Sequence, residues 1–172
     1  VLDLQLLLRG TIMSRLEDIK NLVDNMLIGI ENVADRRNGY VHLYGVADFA
    51  STIALKRGHG KEYAELAYMA GLLHDYEKYR TGIGKDHARK SAKAVKELLK
   101  SCKSLSEIEI ETIYEAIYYH SNKEQVNTEF DEILKDADVM EHWLKEPTAQ
   151  IHKDLDRVKK LCSEFNFNNV EF

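Results

Sequence analysis

Apolar residues recur along this chain at the three- and four-residue spacings of amphipathic helices, and almost nowhere with the strict alternation of a half-buried strand. The pattern predicts helices near residues 14–33, 39–57, 61–79, 87–101, 105–121, 129–145 and 148–165, an all-α, compact single-domain bundle of six to seven helices. Local signals mark the breaks. Asn38-Gly39 is expected to open the second helix, Arg57-Gly58-His59-Gly60 to close it, and Gly82-Ile83-Gly84 to lead into Asp86 as an N-cap. Ser104 and Glu107 have the spacing of a capping box, and the sixth helix is expected to stop before the single proline, Pro147. The stretch Ala64 to Leu73 stands apart because it is apolar on most sides, as a central helix buried on several faces would be.

Composition agrees with a folded domain: 44% hydrophobic and 31% charged residues are too apolar a mixture for intrinsic disorder, and 172 residues suit one core. Residues 1–12 read as a leader ahead of Met13, which leaves 13–172 as the domain and about 38–145 as its motif-bearing core. The net charge of −5 comes with no basic block interleaved with aromatics, so a surface that tracks nucleic acid is excluded. A small anionic ligand needs only a few local cations and stays open. Cys102 and Cys162 lie far apart, without disulfide-framework or zinc-ribbon spacing, and read as reduced thiols of a cytoplasmic protein. The apolar run near the start is too short to span a bilayer.

The candidate chemistry lies at the end of the most apolar helix, in His74-Asp75. Burying an imidazole and a carboxylate costs desolvation unless something compensates, and a bound cation is a common compensation. Lys78 follows four residues after His74 and three after Asp75, in the same sector of the helix. His42 shares a face with Val46, Phe49 and Ile53; His120 continues the stripe of Ile113, Ala116 and Ile117; His87 lines up with Ala94 and Leu98. Each of these, taken singly, reads more readily as a hydrogen-bonded core residue. Four of the seven histidines in such positions weigh more than any one. His59, His142 and His152 lack this support and read as surface residues. Asp136 and Asp138 flank one apolar face of the sixth helix, formed by Phe130, Ile133, Leu134, Ala137 and Leu144. They stand about 200° apart and cannot reach one ion equally, and periodicity does not choose between them. Tyr76, Tyr79, Tyr118 and Tyr119 fit packing at helix edges, or the lining of a nucleobase pocket.

In order along the chain stand His42, His74-Asp75, His87, His120 and an acidic Ala137-Asp138 turn, a series that resembles the HD superfamily of metal-dependent phosphohydrolases over roughly residues 38 to 145. The stretch His74 to Lys78, HDYEK, matches the HDxxK variant found in members that hydrolyse phosphate esters and anhydrides. The resemblance implies a primary metal site of His42, His74, Asp75 and Asp138, with Asp136 behind it or at the surface. It implies His87 and His120 as ligands of a second ion that Asp75 bridges. One or two divalent transition-metal ions (Fe, Mn, Ni, Co or Zn) suit such imidazole and carboxylate donors better than Ca. Hydrolysis by metal-activated water follows, with Asp75 orienting or deprotonating the water and Lys78 meeting substrate charge. The expected partner is a small phosphorylated substrate, foremost a nucleotide.

HDYEK and Tyr119-His120-Ser121 are also similar to a bacterial subgroup that splits dinucleoside tetraphosphates symmetrically. That subgroup carries a longer segment after its HD pair and another tail where this chain reads VMEHWLKEP. The GYP motif of cyclic-di-GMP phosphodiesterases is absent. Two other functions share these residues: a di-iron oxygenase, and a regulatory module that holds metal or nucleotide without turnover.

Overall fold

A computed structural model of the chain describes residues 14–145, 154–170 and 172. Among these residues there are eight helices and no strand: α1 (Arg15–Ile28), α2 (Val33–Lys56), α3 (Lys61–Leu73), α4 (Tyr76–Thr81), α5 (His87–Leu99), α6 (Glu107–Tyr119), α7 (Glu129–Lys145) and α8 (Leu155–Glu164). The all-α expectation holds. The proposed leader, Met13, Pro147 and His152 lie outside the described residues, as does the first part of the helix expected over 148–165.

α3 is the central element and packs against α1, α2, α6 and α7. Its Ala64, Leu66, Ala67, Met69, Ala70, Leu72 and Leu73 are all buried, so the all-round apolar pattern found its expected place. Its contact with α2 is close because of one residue. A Cβ on Gly71 would stand 2.5 Å from the Ala47 Cα, inside any tolerable contact. Glycine at 71 opposite alanine at 47 therefore sets the helix separation, and with it the distance between His42 and His74.

Several expected boundaries moved. α2 begins six residues early, at Val33, where the Asn32 side chain caps the amides of Ala34 and Asp35. Gly39 is not its opening but a close-approach position, since a Cβ there would lie 2.4 Å from the Leu27 side chain. The helix expected over 61–79 is two, α3 and α4, because Asp75 leaves helical geometry at φ −108°, ψ 20°. Neither glycine nor proline announces that break. The capping box is made by Ser106 and Glu109, two residues beyond the expected pair, and Asp86 precedes α5 with φ 57° and without a side-chain cap. α7 is helical through Lys145, the last described residue before the expected stop at Pro147, and it is buried on more than an apolar stripe. Lys135 is fully buried there, its ammonium held by the Gln125 carbonyl, Asn127 and Glu132, while Leu144, assigned to the apolar face, is exposed. No helix among the described residues is long and apolar enough to cross a membrane.

Candidate metal centre

The α3–α4 break aims Asp75 into the bundle, where it meets residues from five helix ends and faces. Its Oδ2 lies 3.5 Å from His42 Nε2 and 3.7 Å from His74 Nε2. Its Oδ1 lies 3.3 Å from His87 Nε2 and 3.6 Å from His120 Nε2. Asp138 Oδ1 completes the first group, at 3.6 Å from His42 and 3.8 Å from His74. The structure thus brings together His42, His74, Asp75, Asp138, His87 and His120, and places Lys78 Nζ 2.5 Å from Asp75 Oδ2.

The route to this cluster differs from one histidine to the next. His42 comes from the buried side of α2, and His74 and His120 cap the C-termini of α3 and α6 after their apolar stripes. His87 does not lie on the buried face of α5, which is made of Ala88, Ser91, Ala92, Val95 and Leu99. It reaches the site because it is the first residue of that helix, with its Nδ1 2.9 Å from the Gly84 carbonyl.

The hydrogen bonds fix which nitrogen faces inward. A carbonyl oxygen can only accept, so Nδ1–H of His74 donates to Gly71, that of His87 to Gly84 and that of His120 to Ile117. His42 Nδ1 donates to the Glu141 carboxylate at 2.6 Å. Four imidazoles consequently turn Nε2 lone pairs toward two carboxylates, the arrangement by which outer partners prepare histidines for a metal. His42 and His74 Nε2 stand 3.1 Å apart. Lone pairs at that distance repel unless a proton or a cation lies between them.

Electrostatics point the same way. Burial pushes His74 down to about 3, so it stays neutral. Burial also opposes charge on His42, but the neighbouring carboxylates of Asp75, Glu141 and Asp138 outweigh it and hold this ring above the ordinary imidazole value. Burial disfavours the carboxylates too, yet His74, His120 and His42 keep Asp75 well below the usual range, and Lys123 with the same imidazoles keeps Asp138 there. Asp75 Oδ1 is nevertheless buried without a hydrogen bond among the described residues. An orphaned anionic oxygen facing two imidazole lone pairs fits a cation and suits little else. By distance, His42, His74 and Asp75 could hold one ion, as could His74, His120 and Asp138, while Asp75, His87 and His120 could hold another.

Asp136 is neither at the surface nor behind the histidines. It is buried between Arg57 and Arg157, at 2.6 Å from each. Reasoning from the sequence missed three residues. Glu141 orients His42, and its stem fits against α2 because position 45 is glycine, where a Cβ would come within 2.9 Å of Glu141 Cγ. Lys123 donates to Asp138 Oδ2 at 2.6 Å. His142, assigned to the surface, has Nε2 3.4 Å from Asp138 Oδ1. Its four-residue spacing from Asp138 was the available signal; a loop lysine carries none. His59 stacks on Tyr63, away from the cluster.

Fold and site define a helical protein with a buried histidine–aspartate cluster able to hold divalent metal. The family model described as HD domain matches residues 39–143, and the chain belongs to the HD domain family, which includes metal-dependent hydrolases. No curated protein and no solved structure gave a significant match.

Proposed function

We propose that the protein hydrolyses a phosphate ester or anhydride bond in a small phosphorylated compound, foremost a nucleotide. One or two divalent transition-metal ions would be held by His42, His74, Asp75 and Asp138, and by His87 and His120. The observation that carries this reading is Asp75, whose two oxygens face two different pairs of imidazoles while Lys78 contacts one of them. A bound divalent ion supplies Lewis acidity and makes water nucleophilic near neutral pH.

The chain's own residues supply the rest. Hydrogen bonds hold the imidazoles in register, so little reorganisation precedes reaction. Asp75, kept ionised, carries charge and orients water rather than storing a proton. Lys78 is the cation placed to meet a phosphate oxygen. Two cavities offer room for the remainder of a substrate: one of about 690 Å³ is lined by Lys78, Arg80, Tyr76, Tyr79 and Asn38, the other of about 470 Å³ by His87, Arg89, Tyr118, Tyr119 and Asn122. The free thiols of Cys102 and Cys162 suit a reducing, cytoplasmic setting.

The test is metal analysis of the purified protein, followed by a screen of nucleotides and phosphodiesters with added Mn, Co, Fe, Ni or Zn. Metal-loaded protein that releases no product from any of them sinks the proposal. Lys78→Ala should cut turnover with metal content unchanged; unaltered turnover removes Lys78 from the reaction. The two groups around Asp75, taken together, would also suit two irons in an oxygenase. An iron-loaded, mixed-valent spectroscopic signal without phosphate hydrolysis would move the reading there.

A further inference from the structure

Asp138 and His142 stand four residues apart on α7, so both side chains rise from one helix face. Two donor atoms each about 2.1 Å from one ion and roughly 90–120° apart lie about 3.0–3.6 Å from each other. His142 Nε2 is 3.4 Å from Asp138 Oδ1, the oxygen that also faces His42 and His74. The donor atoms of His42, Asp138 and His142 all lie within 4.8 Å of one another, and the rings of His42 and His142 are 4.8 Å apart. A surface histidine that only paired with a carboxylate has no reason to approach a second imidazole as well.

We propose that His142 is an additional ligand of the ion held by His42, His74, Asp75 and Asp138, closing that ion from the solvent side. Its side chain is 60% exposed, against 10% or less for the other four, which places it at the mouth of the site. Each of the other four site histidines has Nδ1 fixed on an oxygen, whereas none fixes His142 among the described residues. His142 is therefore the least constrained donor of the set. Together with Asp138 it forms a chelating pair on one helix, the spacing by which two histidines of a single helix bind zinc.

The inference rests on the proposed metal centre, and Co(II) loading separates the two. The full-length protein, His142→Ala and a His59→Ala control are loaded with Co(II), and visible absorption and the rate of removal by EDTA are measured. All three should take up the same number of ions and keep the same far-UV circular dichroism. The His142→Ala spectrum should be shifted and more intense, as expected when an ion loses a donor, and EDTA should strip it at least about tenfold faster. The His59→Ala protein should match the parent in both. A His142→Ala spectrum identical to the parent's overturns the proposal whatever the EDTA rate. A parent protein that takes up no Co(II) overturns the metal centre itself.

Discussion

Asp136 and Asp138 lie two residues apart on α7 and are both buried, yet they belong to different chemistry. Asp136 accepts from two guanidinium groups at 2.6 Å, and Arg57 and Arg157 go on to Glu164 and Glu132, so α2, α7 and α8 are tied by charges that the protein itself completes. Asp138 also receives a direct bond, from Lys123, but its other oxygen looks at three imidazoles across 3.4–3.8 Å. The first spacing is a finished hydrogen bond; the second fits donors that would share an ion. Burial of a carboxylate does not distinguish structure from chemistry. The identity and distance of its partners do.

The contrast breaks most sharply in two variants. Asp75→Ala should strip the metal and lower hydrolysis by more than about 100-fold, beyond the range typical of losing a supporting residue, while the fold persists. Metal content and turnover, followed beside circular dichroism, check this; full activity would refute the site. Asp136→Ala should do the reverse. Leaving Arg57 and Arg157 without their shared carboxylate should cost about 3 kcal/mol of unfolding free energy, as when a buried pair loses one partner. Protein that remains folded should bind metal as before. Denaturant unfolding decides, and an unchanged midpoint would mean that the arginine network contributes nothing.

How far the sequence anticipated this contrast depends on the kind of signal. Helix faces were readable because apolar periodicity reports burial, and that placed His42, His74 and His120 inward. His87 arrived at the same place for another reason, its position at a helix start, so agreement on the residue concealed a mistaken route. Separating Asp136 from Asp138 was beyond periodicity, because both flank the apolar face and only the tertiary partners differ. Arg57 and Arg157 are 100 residues apart in sequence. The family resemblance selected Asp138, and the geometry places that residue among the histidines. Glu141 and Lys123 were invisible for the same reason: one is a charged residue on an amphipathic helix that meets His42 only when α2 and α7 close, and the other sits in a loop that meets Asp138 only when it folds back on α7.

Glu141 offers a finer test of the histidine side of the comparison. Glu141→Gln keeps the shape but removes the charge that fixes His42 Nδ1–H. Metal affinity should fall by roughly 10- to 100-fold, with the same number of ions bound at saturation. Competition with a chromogenic chelator measures it. Equal affinity would show that His42 is oriented by packing alone.

Acidification should separate the two aspartates without any mutation. Imidazole ligands bind metal only when deprotonated, so protons compete for the site through the imidazole range, and His42 is held above its ordinary value by the carboxylates around it despite burial. The arginine side titrates lower. Glu164 is depressed by its hydrogen bond to Arg57, and Glu132, which burial alone would raise, is depressed by Lys135, the Asn127 amide and Arg157. A carboxylate with a folded value below its unfolded one gives stability that is full above the unfolded value and lost as pH falls through the folded one. Starting from the ordinary glutamate value of 4.5, that loss lies below about pH 4.5. Equilibration between pH 7 and 3, with bound metal and circular dichroism followed together, should show metal leaving between about pH 7 and 5 while helicity persists, and helicity failing only below about 4.5. A single transition for both would mean that the cluster and the arginine network are one cooperative unit, and that the ion supports the fold as much as the chemistry.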